Sequence, residues 1–185
     1  MQYRQIRIIA GKGSGAAQFR RELRGIALDA RGALVAAGDS EVKVFDAAGA
    51  LARRWTTALS PYSVAVAADG AVWAGETGQV EVFDGAGALR RTWKDRERFG
   101  RITAIGFFKG SVLLGDASKR CIHRFDDGGG YLNSIGSDNP RGGLLIPNGV
   151  VDFGVDPQGV VHAANPGKHR VERYSPGTSC HAGSP

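Results

Sequence analysis

Short apolar runs recur along the whole chain, separated by turns that carry Gly or Asp, and the runs themselves repeat in a fixed order. Arg24–Asp29 and Gly32–Ala36 are followed by Val42-Lys43-Val44-Phe45-Asp46, then Gly49-Ala50-Leu51 and Trp55. The same order returns as Ser63–Val66, Asp69–Ala74, Val80-Glu81-Val82-Phe83-Asp84, Gly87-Ala88-Leu89 and Trp93. A third copy reads Ile102–Ile105, Gly110–Leu114, Ile122–Asp126, Gly130-Tyr131-Leu132 and Ile135; a fourth reads Val151–Val155, Asp156–Val161 and Val171–Tyr174. The aromatic that closes the third run stands at positions 45, 83, 125 and 174, giving steps of 38, 42 and 49 residues.

Runs rich in β-branched and aromatic residues, with polar residues alternating in the third run and Gly turns between, predict strands in antiparallel meanders. Arg31-Gly32, Asp69-Gly70 and Gln158-Gly159 occupy one tight turn, where glycine meets a positive φ without a Cβ penalty. A period of about 40–50 residues is that of one β-propeller blade, whose apolar face only a neighbouring blade covers. The fold class expected is therefore all-β, a propeller with four blades of four antiparallel strands, over about residues 24–57, 62–95, 101–136 and 150–176. Residues 5–9 match the outermost run of a blade, and 177–185 read as a tail. The fourth copy lacks its own outer run, so 5–9 either completes that blade or belongs to a chain with blades missing. Ala16–Leu23 is the one stretch that reads as a short helical turn.

The stretches Asp116–Asp126 and Asn165–Tyr174 resemble the core motif of the NHL-repeat propeller family, with an Asp or Asn opening a turn and an Arg just before the third strand. The first two copies are shorter there and match less well. The resemblance covers about residues 5–176 and is closest to a bacterial group whose activity is uncharacterised. It implies a wheel of six blades around a channel, so this chain is expected to be part of a six-bladed propeller. Self-association would follow if the propeller is open.

Length and composition fit one ordinary folded domain: 185 residues, 42% hydrophobic and 23% charged. No run approaches the roughly 18 apolar residues of a membrane span. As written the chain reads as cytoplasmic, and as exported if a signal lies upstream. Cys121 and Cys180 lie far apart and suggest neither a zinc site nor a disulfide framework. The net charge of +6 permits a nucleic-acid partner, but arginine beside abundant Ala and Gly also reflects composition alone. Arg20-Arg21, Arg53-Arg54 and Arg90-Arg91 recur at related places. They suit the protection of strand edges as well as an RNA-binding face of the sort some animal NHL propellers use.

The segments that approach each first strand line the channel mouth of such a fold. The candidate ligand-binding residues are accordingly Arg24, Tyr62, Arg101, Thr103, Asn148 and Asp152. Oxygen ligands such as Asn148 and Asp152 suit a hard cation, and related gluconolactonase-like propellers hold one with a Glu, Asn and Asp set. No glutamate takes that place here, so no metal and no cofactor is expected. Asp116 with Arg120, and Asn165 with Arg170, read as turn-fixing pairs. His123, His162, His169 and His181 have no metal-ligand spacing, and no nucleophile turn of the GxSxG kind occurs. Gly11-Lys12-Gly13-Ser14-Gly15 lacks the spacing of a phosphate-binding loop and reads as a connection. The function expected is a non-catalytic scaffold that binds a protein or small ligand across one face. The alternatives are a metal-dependent hydrolase or lactonase of the related propeller class and RNA binding.

Overall fold

A computed structural model describes residues 2–136 and 143–176. The described chain is built from strands: β1 (Gly25–Leu28), β2 (Leu34–Gly38), β3 (Glu41–Phe45), β4 (Leu51–Thr56), β5 (Ser63–Val66), β6 (Val72–Gly75), β7 (Gln79–Phe83) and β8 (Leu89–Lys94) come first. They are followed by β9 (Ile102–Phe108), β10 (Ser111–Asp116), β11 (Cys121–Asp126), β12 (Tyr131–Ile135), β13 (Phe153–Val155), β14 (Val161–Asn165) and β15 (Arg170–Tyr174). One turn of 3₁₀ helix at Pro166–Lys168 is the only helix among the described residues, and no helix there is long and apolar enough to cross a membrane. Two compact units divide the chain, Met1–Ile105 and Gly106–Pro185, and β9 runs across the division.

Each sheet is an antiparallel meander in sequence order, β1 to β4, β5 to β8, β9 to β12 and β13 to β15. Three have four strands and the last has three among the described residues, in line with the outer run that the fourth copy lacks. Residues 5–9 form no strand either. Ile6 and Ile8 are exposed, and Arg7 and Ile9 pass beside Gly49 in the turn between β3 and β4. Alternating apolar residues supply a face, but a strand also needs a ladder partner, and among the described residues this segment has none. Ala16–Leu23 forms a bend and turn instead of a helix.

The repeat is exact in register. Phe45, Phe83, Phe125 and Tyr174 stand at or next to the end of the third strand of their sheet, opposite Leu34, Val72, Val112 and Val161. In the first three sheets a bulge falls just before that aromatic, on the side of the fourth strand. The following turns, at Asp46, Asp84 and Asp126, are closed alike. Each carboxylate accepts the backbone N–H four residues on, at 2.9, 2.9 and 2.7 Å, and Gly49, Gly87 and Gly129 take the positive φ that such a turn demands.

In the first unit, Val35, Ala37, Val42 and Val44 on one face of the first sheet pack against Val64, Val72, Ala74 and Phe83 of the second. The other face of the first sheet is capped in part by the loop from residue 10 to 19, where Phe19 and Ala17 cover Ala36 and Phe45. In the second unit, Leu113 and Ile122 of the third sheet share a core with Val161 and Ala163 of the fourth, with Phe153 and Val155 packed against it.

Candidate functional site

Near the middle of the third strand of every sheet, Lys43, Glu81, His123 and Glu172 stand opposite Ala36, Ala74, Leu114 and Ala163. These four are equivalent positions, and the first three are buried. A buried ionisable group needs partners. Lys43, only 2% exposed, bonds through its ammonium to Glu41 and lies 5.1 Å from the centre of the Phe19 ring. Glu81 accepts the Ala58 N–H at 2.9 Å. His123 meets the Ser134 hydroxyl at 2.9 Å and lies 3.5 Å from the Asp116 carboxylate. Glu172 takes the Tyr174 hydroxyl, Arg170 and Lys168. The Tyr174 hydrogen bond and the Arg170 guanidinium hold the Glu172 carboxyl down near about 2, while burial and Glu172 push the Tyr174 phenol up to about 12.

In the second and fourth sheets, the residue at or just past the end of the second strand fixes the connection entering the same sheet. Glu76 accepts the Leu59 N–H at 3.2 Å and Asn165 that of Leu145 at 3.0 Å. Gly38 holds that place in the first sheet because residues 22–23 pass directly over it; a Cβ there would lie 2.0 Å from the Glu22 carbonyl oxygen. Its neighbour Asp39 does the work instead, accepting the backbone N–H groups of Arg20, Arg21 and Glu22. Burial opposes the charge on Asp39, yet the three N–H groups win and hold its carboxyl below the usual range. Asp116 likewise accepts Ser118 and Lys119 N–H, both at 2.9 Å, so its place is in the turn.

Three of the six candidate residues meet. The Arg24 guanidinium lies 4.1 Å, and that of Arg101 5.4 Å, from the centre of the Tyr62 ring. Backbone pairing fixes all three: Arg24 N–H donates to Ala37, Tyr62 N–H to Gly75, and Arg101 bridges Thr77. Guanidinium groups over an aromatic face gain about 0.5–1 kcal/mol each at exposed sites. Arg24 also bonds Glu22 at 2.5 Å, and the Ser60 hydroxyl donates to the same carboxylate. Arg24 and Ser60 together hold the Glu22 carboxyl below the usual range. Glu22 and Ser60 in turn line a polar cleft of about 360 Å³ with Ser14, Arg20, Asp39 and Lys43. Thr103 follows, half-buried, on β9 of the same unit. Asn148 and Asp152 belong to the second unit and are exposed, and the Asp152 carbonyl is bonded by the Ala164 N–H.

Among the described residues no three His, Cys, Asp or Glu side chains gather as metal ligands do. Cys121 is a buried thiol, and Cys180 and His181 lie outside the described residues. The paired arginines have local contacts: Arg54 approaches Glu41 at 3.9 Å, Arg90 approaches Asp69 at 3.8 Å, and Arg91 lies 5.5 Å from the centre of the Trp93 ring. The sequence reading missed the buried polar position of the third strands, although Val-Lys-Val and Val-Glu-Val display it. It also missed the cleft, which no single run of residues forms.

No family model and no curated protein matches the chain. Solved structures do. A chain of the mitotic checkpoint complex is similar over 83% of this chain and 46% of its own, with 16% identity and a TM-score of 0.63. The computationally designed Ika4 protein is similar over 94% of this chain and 100% of its own, with 18% identity and a TM-score of 0.65. Streptogramin B lyase is similar over 84% of this chain and 55% of its own, with 12% identity and a TM-score of 0.61. The fold is a β-propeller. Its four sheets are the blades, and the chain spans about half the length of the checkpoint and lyase chains it matches.

Proposed function

We propose that this propeller is a non-catalytic module that binds a protein or small ligand across the face carrying Arg24, Tyr62, Arg101 and Thr103. The observation that supports this reading is the packing of two guanidinium groups on one tyrosine ring, in reach of solvent and held by backbone pairing. Such a platform offers a flat aromatic surface with forked donors on it, the chemistry that recognises carboxylates on a protein or a small acid. His123 and Asp116 are enclosed in the third blade. Asn148 and Asp152 would serve as further contacts for a ligand of the second unit.

A glutamate-rich peptide tests the reading by titration calorimetry. Tyr62→Ala and Arg101→Ala are each expected to weaken it about tenfold or more, as anchors of this type do, with thermal unfolding little changed. Affinity equal to that of the unaltered protein in both variants would refute the assignment.

A further inference from the structure

Every blade has a trailing face and a leading face, and the repeat shows what each one fits. On the trailing face of the second blade, Val64 is buried and Val66 packed by the leading face of the first. On that of the fourth, Phe153 and Val155 pack into the core shared with Leu113 and Ile122 of the third. Register makes Ile26 and Leu28 the equivalents of these residues in the first blade. They are 66% and 67% exposed, because the Phe19 loop covers only the outer half of that face.

The leading faces show the converse. Val42, Val80 and Ile122 are fully buried at one position of the third strand, and Val171, at the same position in the fourth blade, is 67% exposed. We propose that a second copy of this chain docks head to tail, the leading face around its Val171 covering Ile26 and Leu28. The occupant follows from the repeat itself. Apart from the Phe19 loop, the surfaces that cover these trailing faces in the second and fourth blades are leading faces of the same blade type, and the chain carries an open one. Exposed apolar pairs of this kind mark interaction surfaces.

Sedimentation of the intact chain across a concentration series tests this. The unaltered protein is expected to associate, and Leu28→Asp and Val171→Asp are each expected to weaken association about tenfold or more. Both positions are exposed, so circular dichroism should report an unchanged fold. Mixing the two variants supplies the deciding measurement. A head-to-tail contact leaves one intact pairing, Leu28 of one variant with Val171 of the other, so the mixture should associate where neither variant does alone. A protein monomeric throughout the series, or a mixture that stays monomeric, would overturn the proposal.

Discussion

Stability is expected to fall as pH rises from about 5 to about 8, and Glu76→Gln is expected to remove most of that slope. Glu76 is fully buried just past the end of β6. Burial pushes its carboxyl from 4.5 up to about 7, aided by the nearby Glu81; the Gln79 amide and the Leu59 N–H work in the opposite direction. An acid whose pKa is raised by folding binds its proton more tightly in the native state. Its contribution is therefore complete below pH 4.5 and is lost as pH climbs through 7. At about 1.4 kcal/mol per pKa unit the loss is on the order of 3 kcal/mol. Carboxyls such as Asp39 and Glu172 are shifted the other way, and their effect is confined to lower pH. Urea denaturation at several pH values measures the slope, and a stability difference between the two proteins that stays constant from pH 5 to 8 would show that Glu76 is already ionised in the fold.

Phe45→Ala is expected to cost about 3–5 kcal/mol, a large share of the about 5–15 kcal/mol that holds a typical domain folded. Phe45 is 1% exposed, at the repeat position that closes the third strand. It is sealed by Phe19, Leu34, Ala36 and Leu51. Phe45→Leu keeps most of the volume and should cost much less. If alanine costs under about 1 kcal/mol by denaturant unfolding, the Phe19 loop does not close over this position in solution.

Both sites bear on how far the sequence could be read. The blades were legible because Phe45, Phe83, Phe125 and Tyr174 share one place in a meander, and register follows from alternation once the turns are fixed. The Asp and Gly of each turn made those turns visible. Residues 5–9 misled because alternation says nothing about a partner. Arg24, Tyr62 and Arg101 could be named from their place before first strands, yet their meeting on one ring depends on side-chain reach across strands far apart in sequence. Glu76 and Glu81 escaped notice for a similar reason. A lone glutamate in a strand looks solvent-facing, and only packing reveals that both are enclosed.

The tryptophans give the molecule a reporter confined to one half. All three, Trp55, Trp73 and Trp93, lie in the first unit, two of them edge to face with ring centres 5.0 Å apart and the third 5.7 Å from Phe83. Indole emission on unfolding therefore follows the first two blades alone, while backbone dichroism averages over all four. Recording both during one titration would show whether the halves melt in concert or in succession.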